Sequence, residues 1–138
     1  MRKGFTLVEI MIVVAIIALL AAIAIPNLLR ARVNANEANA QAVLKTIATA
    51  AESFGAANNG LYPDVMTDLT GATPPYLNEN YTGNRQGYTF ACTFNADGSG
   101  YSCTAIPVTL NTTGTRSFTI CTGAILREVV GGAAPACP

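Results

Sequence analysis

Every residue from Ile10 to Ile25 is apolar, and that unbroken run governs what this chain can fold into. The sequence after Arg30 reads as an ordinary polar-surfaced chain, so a single soluble domain does not fit the pattern. With its flanks the apolar segment runs from Phe5 to Leu29, about 38 Å of helix at about 1.5 Å per residue. A hydrocarbon core of about 30 Å is within its reach. Arg2 and Lys3 precede it, which places the N-terminus in the cytoplasm and the rest outside. Arg30 and Arg32 oppose that orientation, but they flank a long region that is exported regardless. A cleaved secretory signal is the competing reading. It fits poorly, because the basic stretch is short, no A-x-A-like site ends the run, and Glu9 stands at the run's start.

Composition removes whole classes of activity. Lysine plus arginine and aspartate plus glutamate both number 8, and no basic stripe appears, so nucleic acid is not an expected partner. Histidine is absent, which excludes Ser-His-Asp and Cys-His catalysis and any imidazole metal site. Asp64 and Asp68 make only a weak carboxylate pair. The chain is read as a non-enzyme, with no cofactor and no metal.

Glu9 needs an explanation of its own. A carboxylate inside a membrane segment costs about 2.5–3.5 kcal/mol even on lenient scales. It therefore has a partner, or it snorkels to the interface and complements the positive end of its helix.

The stretch Gly4-Phe5-Thr6-Leu7-Val8-Glu9, the apolar run behind it, and Ala24-Ile25-Pro26-Asn27 resemble the N-terminus of type IV pilins and of type II secretion pseudopilins. The match is dense to about residue 33 and loose beyond. The resemblance implies a prepilin peptidase that cuts between Gly4 and Phe5 and methylates the new amine of Phe5. That cut removes Arg2 and Lys3, leaving six basic against eight acidic side chains. It also implies that Glu9 pairs with the N-terminal amine of an adjacent subunit. Pro26 becomes a point where the helix bends or locally melts on packing. The implied partners are copies of the same chain in a helical filament, the peptidase, the inner membrane before assembly, and an inner-membrane assembly platform with its motor.

Pro26 is the lone proline between Phe5 and Phe54, and no glycine interrupts that stretch. Beyond it, apolar residues recur at Leu29, Val33, Ala40, Val43, Leu44, Ile47, Ala51 and Phe54, in the steps of three and four that mark an amphipathic helix. Asn34, Asn36, Glu37, Asn39, Gln41, Lys45 and Glu52 are assigned mostly to the other faces. Gly55 and the run Ala56–Gly60 are expected to end the helix. One rod from Phe5 to about Ala57, bent at Pro26, is favoured over two separate helices.

From Leu61 onward too few residues remain for a large core, so the helix must lend its apolar face. Leu61 to Leu77 carries loop and turn signals. Tyr88–Phe94 alternates as a strand, Asn95–Gly100 turns, and Tyr101–Pro107 returns. A hairpin symmetric about that turn sets Cys92 opposite Cys103, within reach of a disulfide. Arg116–Cys121 is read as a third strand and Ala124–Val130 as a fourth. Four cysteines allow three connectivities. The pairs expected are Cys92–Cys103 and Cys121–Cys137, and the second resembles the C-terminal disulfide loop of many type IV pilins. Zinc is disfavoured, since no pair has C-x₂₋₄-C spacing. Asn95, Asp97 and Ser99 alternate like a calcium loop, but Ile106 stands where that loop needs an acid, so they are read as a turn. Asn80-Tyr81-Thr82 and Asn111-Thr112-Thr113 match the N-glycosylation pattern and are read as exposed loop.

The expected architecture is α+β: a leader over 1–4, a long helix over 5–58 whose 5–29 segment spans the membrane and drives assembly, and a globular β head over 59–138. The expected function is a pilin that polymerises into a surface filament. A pseudopilin forming a periplasmic pseudopilus and a membrane-anchored binding module are the alternatives.

Overall fold

A computed structural model describes residues 4–138; the remainder of the expected leader, residues 1–3, lies outside the described residues. The chain divides into two compact units, one ending at Arg32 and one running from Val33 to Pro138. Helix α1, Leu7–Ala57, is continuous and contributes residues to both. Its start is set by Thr6, which stands at the N-cap, so Phe5 is not helical as the sequence had suggested. Its end is set further along than Gly55, which is buried inside the last turn. The Gly60 N–H donates to the Gly55 carbonyl at 2.8 Å, and Asn59 and Gly60 both take positive φ, 56° and 87°. A left-handed residue just past the last turn is the ordinary way a helix terminates, and glycine enters that region without a Cβ clash.

The second unit is built on an antiparallel meander in spatial order β1-β2-β3-β4-β5. The strands are β1 (Gly83–Arg85), β2 (Tyr88–Phe94), β3 (Tyr101–Pro107), β4 (Arg116–Cys121) and β5 (Ile125–Val130). The β2–β3 register pairs Phe94 with Tyr101, Cys92 with Cys103 and Phe90 with Ala105. Asn95 closes the hairpin by donating its N–H to the Gly100 carbonyl, while the Asp97 carboxylate accepts the Ser99 N–H. These are turn bonds, consistent with the reading of that loop.

Two elements escaped the sequence reading. β1 is only three residues long, and its Gly83-Asn84-Arg85 carries no strand pattern. The five-residue helix α2, Met66–Thr70, lies in what was read as loop; the Asp68 carboxylate fixes its first turn by accepting the Asp64 and Val65 N–H groups.

One sheet face carries Tyr88, Phe90, Tyr101, Cys103, Ala105, Phe118 and Ile120, all buried. They pack with Ala40, Leu44, Ile47, Ala48 and Ala51 of α1 in one core, joined by Met66 and Leu69 of α2. Gly114 leaves room for the Tyr88 ring, which would collide with any Cβ there, and the Tyr88 hydroxyl donates to the Arg116 carbonyl at 2.7 Å. On the opposite face Ser117, Thr119 and Cys121 are also buried. The Ser117 hydroxyl donates to the Gly131 carbonyl, and Cys121 is bonded to Cys137, so the C-terminal segment is fastened over β4 at two points. The other disulfide joins Cys92 to Cys103 across the β2–β3 ladder, with Cα atoms 4.0 Å apart.

Leu44 is fully buried at the centre of this core. Leu44→Ala should lower the unfolding free energy by about 2–5 kcal/mol, through lost burial and the cavity left behind. Urea unfolding of the detergent-solubilised chain, followed by circular dichroism, measures it.

Candidate assembly site

Among its described residues the first unit offers surface and no core. From Gly4 to Arg32 every residue except Ala21 is exposed, and the segment includes the whole apolar run. The helix is long and apolar enough to cross a membrane, and none of its most apolar window is buried within the chain. Glu9 is the sole acidic residue of this unit.

Glu9 occupies the third position of α1, in the first turn, where four backbone N–H groups have no partner inside the helix. Its Oε2 accepts the Thr6 N–H at 2.7 Å and the Thr6 hydroxyl at 2.7 Å, and the Glu9 N–H donates back to Thr6 Oγ1 at 3.3 Å. Thr6-Leu7-Val8-Glu9 is thus a reciprocal capping box. Gly4 and Phe5 lie ahead of the helix, outside any regular element, with Phe5 86% exposed. Pro26 sits inside α1 and brings no N–H to the Ala22 carbonyl. One residue on, the Asn27 side-chain amide donates to the Ile23 carbonyl at 3.1 Å.

The second unit fastens its stretch of α1 to the sheet through two carboxylates that the sequence reading had sent mostly to the solvent faces. Glu37 is 3% exposed. It accepts the Thr115 N–H at 2.8 Å and the Thr115 hydroxyl at 2.7 Å on Oε1, and the Arg116 Nε at 2.8 Å and Nη2 at 2.7 Å on Oε2. Arg116 reaches on to Glu128 of β5 at 2.9 Å. Glu52 accepts the Tyr62 and Tyr101 hydroxyls, each at 2.9 Å, and the Gly123 N–H at 2.7 Å. The spacing held the signal for Glu37: it precedes Ala40, Leu44, Ile47 and Ala51 by 3, 7, 10 and 14 positions, on the same stripe. Its partners lie 78 and 79 residues away, and no local pattern announces them.

Charge follows the geometry. Burial pushes the Glu37 carboxyl upward, but the Thr115 donors and the Arg116 guanidinium outweigh it and hold the group below its ordinary value. Tyr101 is raised, first by burial and then because its hydroxyl donates to Glu52.

Comparison with known proteins finds a family match within the first unit and two relatives whose likeness extends beyond it. Residues 1–25 match the family described as the prokaryotic N-terminal methylation motif. The type IV major pilin protein PilA of Myxococcus xanthus is 42% identical over 87 residues, 63% of this chain and 36% of that protein. The type IV wide pilus major component PilA4 of Thermus thermophilus is 51% identical over 57 residues, 41% of this chain and 44% of that one. The long helix and five-stranded antiparallel sheet already described agree with these likenesses.

The chain is thus similar to type IV major pilins over part of its length. The matched stretches span less than half the length of either curated relative. No solved structure matches the chain.

Because the Glu37 carboxyl is held down in the folded chain, its contribution is complete above the usual carboxylate range and is lost as pH falls through the depressed value. Glu37→Gln should cost about 1–3 kcal/mol at neutral pH, by weakening bonds to a charged acceptor. It should also flatten the acid limb of the stability curve. Urea midpoints taken at a series of pH values for both proteins measure each effect.

Proposed function

We propose that this chain is a type IV pilin, the structural subunit of a type IV pilus-like surface filament. The reading rests most heavily on one coincidence. A methylation motif over residues 1–25 ends in a helix whose apolar surface the chain leaves uncovered, with a single carboxylate in the first turn.

In this reading the precursor is held in the inner membrane by Phe5–Leu29, with its N-terminus cytoplasmic. A prepilin peptidase cleaves between Gly4 and Phe5 and methylates the Phe5 amine. Assembly then moves the helix out of lipid and against like helices of other copies, driven by an inner-membrane platform and motor. Lipid tails are as apolar as leucine, so the transfer gains nothing from hydrophobicity alone. Packing, the motor and charge pairing supply the drive. The pairing joins Glu9 of an incoming subunit to the amine of a neighbour and removes the cost of an isolated carboxylate in an apolar core. Heads form the outer surface, Pro26 lets the helix adjust as it packs, and the chain does no catalysis. The relatives' descriptions, a major pilin and a pilus major component, agree with this role.

Glu9→Ala and Glu9→Gln, expressed at matched levels, should both lose most of the filament recovered by shearing cells, while processed chain still accumulates in the membrane. Wild-type filament yield from both variants would contradict the assembly role of Glu9.

A further inference from the structure

The second unit carries seven acidic side chains against four basic ones, Lys45, Arg85, Arg116 and Arg127. Arg85 is bonded to Glu79, and Arg116 to Glu37 and Glu128. Glu52 is held by the Tyr62 and Tyr101 hydroxyls. Three acids remain with neither a cation nor a tyrosine among the described residues, and all three, Asp64, Asp68 and Asp97, line one groove. Two of them have work inside the chain. Asp68 fixes the first turn of α2, and Asp97 accepts the Ser99 N–H. The Asp64 carboxylate is exposed and makes no hydrogen bond among the described residues.

The groove, about 330 Å³, opens where α1 ends, between the segment that follows the helix and the β2–β3 turn. Its apolar lining comes from Phe54, Leu61 and Pro63, and Leu61 keeps more than half of its surface exposed. Such a surface suits an occupant that brings a cation and apolar side chains together. Lys45 and Arg127 are the cations of the second unit with no salt bridge among the described residues. The exposed neighbours of Lys45 one turn away on α1 are Ala42 and Thr49, which add little apolar surface. Arg127 stands on the edge strand β5 between Ile125 and Val129, all three exposed on the sheet face turned away from α1.

We propose that Ile125, Arg127 and Val129 of one copy dock in this groove of the next copy, with the Arg127 guanidinium on Asp64 and the two apolar side chains over Leu61. The proposal rests on the filament reading given under Proposed function and names a contact between its heads. Charge complementarity fixes partner and register, and covering Leu61 removes apolar surface from water. The two patches are different parts of one head. A contact between unlike patches leaves one of each free at the ends, so it repeats into a ring or an open filament, whereas a two-fold pair would close.

The test is a charge exchange, read as filament sheared from cells at matched expression. Arg127→Glu and Asp64→Arg, each alone, should lower the yield at least three-fold. Neither side chain is bonded within the chain, so the urea midpoint of the detergent-solubilised protein should stay at the wild-type value. The chain carrying both substitutions should recover at least half of the wild-type yield, because the exchanged charges attract again. Co-expression of the two single variants should also recover filament, containing both, since the altered patch of each fits the altered patch of the other. A loss caused by misfolding would lower the urea midpoint and would not be mended by the second substitution. Wild-type yield from either single variant gives the groove another occupant and overturns the proposal. Recovery from neither the double variant nor the co-expressed pair overturns it too. Both results leave the filament reading standing. Wild-type cells that shed no filament overturn that reading, and the proposal with it.

Discussion

One helix in this chain must satisfy two different surroundings, and the rest of the structure is a response to that constraint. Up to Arg32 its side chains are exposed on every side and overwhelmingly apolar, so the chain by itself provides no medium for them. From Val33 onward a single stripe is apolar, and the chain's own sheet covers it. The two halves are not distinguished by helix propensity, since alanine and other good helix formers run through both. They differ in what can remove their apolar surface from water. In the proposed function lipid and then other copies serve the first, and the β head serves the second.

The head is held to its helix by polar bonds as well as by packing. Glu37 and Glu52 stand fifteen positions apart on α1, and each gathers donors from distant parts of the chain. A purely apolar stripe of alanine, leucine and isoleucine can slide along a sheet by a turn with modest loss. A buried carboxylate bound by Thr115 and Arg116 cannot, because slipping would strand it without partners. The pair of carboxylates therefore fixes register where the small alanine side chains specify it weakly. On the other face the tail is fastened over β4 by the Ser117–Gly131 bond and the Cys121–Cys137 disulfide, which closes the buried strand from outside.

Much of this was legible in the sequence, and what was missed has definite physical causes. The apolar run, the period of the helix and the Cys92–Cys103 register follow from local patterns that no tertiary contact overrides. Thr6 and Glu9 were read in the motif, but their mutual bonding was not, although Thr-x-x-Glu before an apolar run is a capping signature. Glu37 was misplaced because charge was weighed ahead of position. β1 and α2 are too short to carry a period, and each forms because neighbouring structure supplies its partners. Gly55 reads as a stop in the sequence, yet a glycine inside a helix costs only about 1 kcal/mol, and the Tyr62 ring lies against it.

The central claim is that this subunit is processed and then displayed in a filament, with its apolar helix buried among copies of itself. The intact mass of the protein sheared from cell surfaces, taken without and then with reductant, tests that most directly. The account predicts a chain beginning at Phe5, heavier by one methyl group and lighter by four hydrogens until reduction restores them. Full-length protein confined to the membrane fraction would contradict it.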